Sequence, residues 1–367
     1  MDFAESVREI DVSAIRRIFE AAGEDSINLG LGKPDFETSE HIREAAVDAI
    51  RAGKAGSYTN NAGLDELREA VSEYVEFDAE SEEVIATSGA SEALHIAIEA
   101  HVDPGDEVII PDPGFVSYDA LTRIADAEPV GVELASDLRM TPEAVKESLS
   151  DDTSAFVVNS PANPTGAVQT EEDMRAFAEI ADDHDVPLIS DEVYDHLVYE
   201  GEHHPPAEYG DNVVTIKAAS KTFAMTGWRL GFVIADVERC DEIIKVHQYC
   251  QACAAAPSQF AGIEALTSPE SRDAVDEMKT EFEARRKLVV EGLRDIGLEC
   301  PTPKGAFYAF PKVPEGFVEE CIDRGVVLVP GDAFGEHGAG YARISYANSR
   351  ENIRDALEVM EGVVEDL

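Results

Sequence analysis

Residues 153–194 read TSAFVVNSPANPTGAVQTEEDMRAFAEIADDHDVPLISDEVY. Two short apolar runs, TSAFVVNS (153–160) and VPLIS (186–190), flank an amphipathic stretch, EEDMRAFAEIADDH (171–184). Strand, helix, strand in that order is a crossover unit, which calls for neighbouring parallel strands with a helix packed over them. The alternation continues outward in both directions. EVIAT (83–87), EVIIP (107–111) and PVGVEL (129–134) precede the quoted stretch, and NVVTIKA (212–218) and LGFVIA (230–235) follow it. SEALHIAIEAHV (91–102) is a further helical pattern. Asp103-Pro104-Gly105-Asp106 and Pro111-Asp112-Pro113-Gly114 punctuate the series as turns. This predicts an α/β unit with a mainly parallel mixed sheet and helices on both faces.

Beyond about Gln259 the texture changes. A long charged helical stretch, SRDAVDEMKTEFEARRKLVVEGLRDI (271–296), leads into short β-like pieces, GAFYAF, GVVLVP and YARISYA, and a final helix. These predict a smaller α+β domain, with the N-terminal segment packed against it. The expected division is a large domain at 46–260 and a discontinuous small domain of 1–45 and 261–367. The 367 residues, 44% hydrophobic, suffice for a large core. No apolar run approaches the roughly 20 residues that cross a bilayer. The start, MDFAESVREI, has no apolar signal region, so a cytoplasmic protein is expected.

Charge is the most unusual bulk property. Asp and Glu number 76 against 29 Lys and Arg, a formal net of −47, and only ten residues are lysine. The acids form no single tail but recur at 80–83, 182–185, 281–283 and the chain end. A dispersed acidic shell suits a salt-rich environment, where ions screen the self-repulsion that opposes compaction. The same charge argues against nucleic acid and anionic membranes as partners. Five cysteines, Cys240, Cys250, Cys253, Cys300 and Cys321, are too sparse for a disulfide framework. His247, Cys250 and Cys253 share one helical spacing that metal ligands use. With no second CxxC, an apolar helix face is the stronger reading, and no metal is expected.

In open α/β sheets, ligands sit beyond the carboxyl ends of strands, so the loops there carry the chemistry. None contains GxGxxG or GxxxxGK[ST], which removes the main support for nicotinamide and P-loop nucleotides. After EVIAT comes SGASEAL (88–94), a small-residue turn entering a helix whose exposed N–H groups suit a phosphate. Ser91 there is also readable as a plain helix cap. After AFVVN comes SPANPTG, in which two prolines and a glycine fix Asn163 in a rigid loop. Asp191, at the end of VPLIS, is costly to bury unless it meets a cation, and Tyr194 lies three residues on. The plainer reading of Asp191 is a helix cap. After NVVTIKA comes ASKTFAMTGWRLG (219–231). Lys221, amid small and apolar residues, should have its charged form disfavoured and its amine made more nucleophilic. Arg229, eight residues later, could clamp a phosphate.

Taken together, SGASEAL, NSPANPTG, SDEVY and SKTFAMTGWRLG resemble the class I and II aminotransferases of the fold-type I pyridoxal phosphate (PLP) family, in order and spacing from about Leu29 to Tyr346. The resemblance implies the fold of that family and gives roles residue by residue. Lys221 matches the lysine that forms the Schiff base and moves the substrate proton. Asp191 matches the acid paired with the pyridinium nitrogen. Tyr194 and Asn163 match the pair on the cofactor's phenolic oxygen, and Phe115 matches the aromatic stacked on its ring. Gly89, Ala90, Ser91, Ser220 and Arg229 match the phosphate cradle. Tyr58, in SYTNNAG, resembles a tyrosine that reaches the neighbouring subunit's site, which implies a homodimer. Arg343, in ARISYA, matches the arginine on the substrate α-carboxylate, and Gly32, in LGKPDF, the backbone beside it. Asn163 belongs to this substrate set as well. Ala218 stands where many relatives carry a phosphate-binding serine, and Ala162 replaces a frequent Asn.

The implied function is amino-group transfer between an L-amino acid and a 2-oxo acid by ping-pong chemistry. No second arginine matches a side-chain carboxylate site, so the expected range is broad: aspartate or glutamate with some neutral or aromatic amino acids. The segment around Ser13–Phe19 and the partner subunit are the remaining candidates for reading the side chain. A PLP-dependent C–S β-lyase on the same scaffold is the alternative. A non-catalytic sensor would need an effector module, and about 28 residues ahead of LGLGKPDF leave it no room. From the charge follows a first prediction: the thermal midpoint rises between dilute buffer and molar potassium chloride. An unmoved midpoint would count against adaptation to salt.

Overall fold

The computed structural model describes residues 26–367, together with 5–8, 10 and 23. The segment around Ser13–Phe19 lies outside the described residues. In chain order the strands are β1 (Ile27–Asn28), β2 (Val84–Thr87), β3 (Glu107–Asp112), β4 (Glu128–Glu133), β5 (Thr153–Asn159) and β6 (Leu188–Asp191). They continue as β7 (Val213–Ala218), β8 (Gly231–Ile234), β9 (Tyr308–Ala309), β10 (Val326–Val327), β11 (Val329–Pro330) and β12 (Ala342–Ser345).

Seven of them form one sheet in the order β2-β8-β7-β6-β5-β3-β4. Only β8 runs antiparallel to its neighbours; the other pairings are parallel. This is the mainly parallel mixed sheet that the alternating runs predict, with strand bounds shifted by at most about two residues. Successive side chains point to opposite faces, and both faces are apolar because helices cover both. Thus Val157, Ile189 and Val214 join one core cluster with the helix Ala90–His101, while Phe156, Val158 and Leu188 join another with the helix Glu171–His184. The latter helix begins with a capping box between Thr170 and Asp173.

A three-stranded antiparallel sheet, β11-β12-β9, and the parallel pair β1-β10 lie apart from the large sheet. The 27-residue helix Pro269–Asp295 and the helix Arg350–Asp366 supply their cover. Phe282, on the long helix, is fully buried against Phe36, Phe307 and Tyr346. Among the described residues no helix is long and apolar enough to cross a membrane.

One contact carries the sheet's geometry into the loop after β2. Gly89 adopts φ +83°, a left-handed conformation that glycine alone enters without strain. Gly231, the first residue of β8, lies so close that a Cβ on it would stand 2.5 Å from the Gly89 carbonyl carbon and 2.6 Å from the Ala90 nitrogen. Both neighbours are backbone and cannot swing aside. Gly231→Ala is therefore expected to lower stability by about 1–3 kcal/mol in urea unfolding. It should also displace the Ala90 N–H, the first of the helix Ala90–His101.

Candidate active site

The loops after β2, β3, β5, β6 and β7 converge on a cavity of about 270 Å³. Of the residues singled out from sequence, Gly32, Ala90, Ser91, Phe115, Asn163, Asp191, Tyr194, Ser220, Lys221, Arg229 and Arg343 line it. Gly89 lies behind the lining, against the Arg229 guanidinium. Tyr58 is outside it, with 87% of its surface exposed in the single chain.

Asp191 ends β6 and is 3% exposed. Its Oδ2 accepts from the Tyr118 hydroxyl at 2.6 Å and its Oδ1 from the Val193 N–H at 3.3 Å. A turn follows, so the acid caps no helix. Burial pushes its carboxyl up to about 6, against the hydrogen bonds from Tyr118 and Val193. Tyr118 is itself fully buried, and burial and the nearby carboxylate hold its hydroxyl well above the ordinary range.

Two lysines stand four residues apart at the end of β7, and their surroundings separate them. The Lys217 ammonium sits between Glu192 Oε2 at 3.0 Å and Asp195 Oδ2 at 2.6 Å. Although burial opposes it, this pair of carboxylates raises its pKa, so it stays protonated. Lys221 has no carboxylate at that range; its Nζ donates to the Gly32 carbonyl at 2.6 Å. Burial first, then the charge of Arg343, lowers it to about 8. Of the two, Lys221 alone can present a neutral amine near neutral pH.

Arg343, on β12, is 2% exposed. Its Nη1 donates to Asn163 Oδ1 at 2.8 Å and its Nη2 to the Gly30 carbonyl at 2.7 Å. The Nε is buried with no hydrogen-bond partner. The rings of Tyr308 and Phe334 both lie 4.7 Å from the guanidinium carbon. Asn159 holds the proline-rich loop beside it, accepting from the Asn163 N–H at 2.7 Å and donating to the Asp191 carbonyl at 2.8 Å.

The helix Ala90–His101 begins at the cavity with Gly89 as its cap, so Ser91 lies inside the first turn and is not the cap. Arg229, with φ +54°, donates to the carbonyls of Thr226 and Ser88 at 3.1 and 3.3 Å, which aims it at the same turn. Phe115 meets Tyr118 edge-on, 5.7 Å between centroids.

Sequence reasoning missed Tyr308, Tyr118 and Asn159. Tyr308 lines the cavity, and its hydroxyl lies 2.8 Å from that of Tyr194 and 2.6 Å from where a Cβ on Gly32 would be. Nothing in GAFYAF distinguishes this tyrosine from a core residue. Asn159 stands at the head of NSPANPTG and Tyr118 three residues after Phe115, and spacing alone is the signal for either. His247 is fully buried, with both ring nitrogens in hydrogen bonds to Glu92 and the Asn61 carbonyl, while Cys250 is exposed.

A cavity at the carboxyl ends of an α/β sheet, holding one depressed lysine and one unpaired buried arginine, defines an enzyme for small anionic substrates that uses an amine. The sequence pattern of the family described as aminotransferase class I and II matches residues 24–360. The aspartate aminotransferase of Pyrococcus horikoshii is 44% identical over 99% of this chain and 97% of its own length. Aromatic-amino-acid aminotransferase 2 of Thermococcus litoralis is 37% identical over 100% of this chain and 99% of its own. The solved structure of Thermus thermophilus aspartate aminotransferase with maleate superposes with a TM-score of 0.94, at 37% identity, over 99% of this chain and 100% of that one. The chain belongs to the class I and II aminotransferases. It is an aminotransferase with their fold.

The Asp191 environment gives a signed prediction. Its folded pKa, about 6, lies above the ordinary 3.8. The native state thus holds this proton more tightly than the unfolded chain, a contribution present below the unfolded value and lost as pH rises through about 6. Asp191→Asn should make the cofactor-free protein more stable at pH 8, on the order of 2 kcal/mol, with a smaller gain at pH 5. Equal midpoints at pH 8 would show that the buried carboxylate carries no such cost.

Proposed function

We propose that this aminotransferase works with PLP bound at Lys221 and accepts a broad set of L-amino acids. The observation that carries the reading is Arg343. A fully buried guanidinium whose bonds go to neutral oxygens, and whose Nε has no partner, leaves its charge to be met by an incoming carboxylate.

The residues present fit the cofactor. Lys221 supplies an amine lowered to about 8. Asp191, raised to about 6, would be drawn down by a cation and so favours a protonated ring nitrogen beside it. The Ala90 N–H, Ser91, Ser220 and Arg229, with Gly89 giving the approach, would hold the phosphate. Phe115 would face the ring, and Tyr194 with Asn163 would reach the phenolic oxygen. When bound, PLP supplies an electron sink for bonds at the substrate Cα. Lys221 would carry the proton to and from that carbon, with Tyr194 beside it; its Nζ lies 5.9 Å from the Tyr194 ring centroid. Arg343 would hold the α-carboxylate with Asn163 and the Gly32 backbone alongside. Tyr308, through its bond to Tyr194, would position that hydroxyl.

Breadth rests on the cations of the cavity. Among the described residues its lining has Lys221, Arg229 and Arg343 and no further one, and each has a task above. The similar proteins carry aspartate and aromatic-amino-acid names alike. The lyase alternative finds no such support. Tyr58, exposed on the single chain, would reach the neighbouring site of a homodimer. The division at 46–260 against 1–45 and 261–367 belongs to the same proposal, supported by the large sheet falling within 84–234 and the small strands outside it. A cytoplasmic, salt-adapted enzyme remains our reading of the −47 charge.

Single-turnover loss of the lysine-bound PLP absorbance, with aspartate, glutamate, alanine and phenylalanine as donors, tests the specificity. All four are expected to react, within about 10⁴ of one another in kcat/KM. A wider gap in favour of aspartate would reveal a dedicated side-chain carboxylate site. Arg343→Ala should cost all four alike, roughly 2–5 kcal/mol.

A further inference from the structure

The spacing of His247, Cys250 and Cys253 plays no part in the chemistry above, yet His247 is placed with care. It sits on the helix Val237–Cys250 and is fully buried. Its Nδ1 lies 2.8 Å from Glu92 Oε1 and its Nε2 lies 2.9 Å from the Asn61 carbonyl oxygen. A carbonyl oxygen only accepts, and so does an ionised carboxylate. Both contacts are hydrogen bonds when each ring nitrogen donates.

Glu92 has a second task. Its Oε2 accepts the Ser88 N–H at 2.5 Å, so it fixes the loop from which Ala90 and Ser91 face the cavity. It stands in the first turn of the helix Ala90–His101. The positive end of a helix welcomes a carboxylate there. The same end is assigned to a phosphate, however, and two anions on one helix terminus repel. An unneutralised Glu92 would hold the loop and weaken the site at once.

We propose that His247 is a positioning residue of the phosphate site: it neutralises Glu92, so that Glu92 can clamp the Ser88–Ser91 loop without repelling the phosphate, and it ties that loop to residues 59–64. The tie is part of a wider set. Gln259 donates to Thr59 Oγ1 at 3.0 Å and accepts from the Leu64 N–H at 2.7 Å, and Asn61 donates to the Ala252 carbonyl at 2.5 Å. The segment that presents Tyr58 is thereby fixed relative to the phosphate loop of its own chain. The simpler account makes Glu92 a helix cap and His247 its buried partner, with no influence of charge on the ligand.

The inference rests on the PLP reading, and the experiment separates the two. PLP dissociation is followed by absorbance of the lysine-bound cofactor for the full-length protein, His247→Gln, Glu92→Gln and the double variant. Inorganic phosphate is titrated as a competitor of PLP uptake. His247→Gln is expected to weaken both PLP and phosphate by about tenfold, the scale of one uncompensated charge about a helical turn away. Glu92→Gln alone should bind within about threefold of the unaltered protein, and adding it to His247→Gln should restore most of the loss. A purely structural pair predicts the reverse, a double variant as weak as His247→Gln or weaker, and that result overturns the proposal. Unchanged affinity in His247→Gln overturns it too. If His247→Gln does not fold, the double variant decides: binding within about threefold supports the proposal and a loss of tenfold or more refutes it. Absence of the cofactor band in the unaltered protein would overturn the PLP reading, and this inference with it.

Discussion

Among the described residues, the lining of one cavity brings together Lys221, Arg229 and Arg343 with a single carboxylate, Asp191. In a chain of net −47 this is a local reversal of sign. Like charges gathered in a poorly hydrated space raise one another's energy, and the effect is visible in the depressed lysine, which burial and Arg343 lower together. Much of the surrounding architecture serves to keep these groups from finding internal partners. Lys217, on β7 four residues before Lys221, shows what happens otherwise. Its two carboxylates keep it charged and chemically inert.

The sheet makes that separation possible. Along a strand end, successive side chains leave on opposite sides. Asp191 turns toward the cavity, while Glu192, the next residue, bonds Ser190, His203 and Lys217 on the other side. The acids that would quench Lys221 are thus consumed by Lys217 and His203. The loop after β5 works in the same way for Arg343: Asn163 gives it a neutral oxygen, and Asn159 holds Asn163 in place.

The fold was legible because its signals are local. Each apolar run of the sheet carries its own periodicity, and turn residues mark where it ends. The residues after those runs were legible because their chemistry is anomalous where they stand: an acid ending a buried strand, a lysine among small apolar residues. Tyr118, Tyr308 and His247 lacked that kind of signal. A tyrosine on an amphipathic helix or in a short apolar strand reads as core. Its meaning depends on a partner 73 residues away for Tyr118 and 114 for Tyr308. His247 meets Glu92 across 155 residues. Pairings of that separation are set by how helices pack on the sheet, and no periodicity in one segment announces them. The cap reading of Ser91 fails for a different reason. Gly89, free to adopt a positive φ, begins the helix two residues earlier than a serine cap would.

A site built from uncompensated charges has a thermodynamic consequence for the whole protein. Burying Asp191, Lys221 and Arg343 shifts each away from its charged form, and each shift is free energy stored against folding. A ligand that set a ring-nitrogen cation beside Asp191 and a carboxylate on Arg343, as the proposed cofactor with its substrate would, would reverse those two terms. Because it binds only the folded chain, its affinity adds directly to native stability. The features that destabilise the empty protein are therefore the ones that make the loaded protein stable. Relieving them by mutation, as with a neutral residue at Asp191, would gain stability in the empty state by giving up the carboxylate proposed to pair with the cofactor's ring nitrogen. On this account, the strain is part of the site's function, and its location at strand ends keeps it away from the apolar core that holds the domain together.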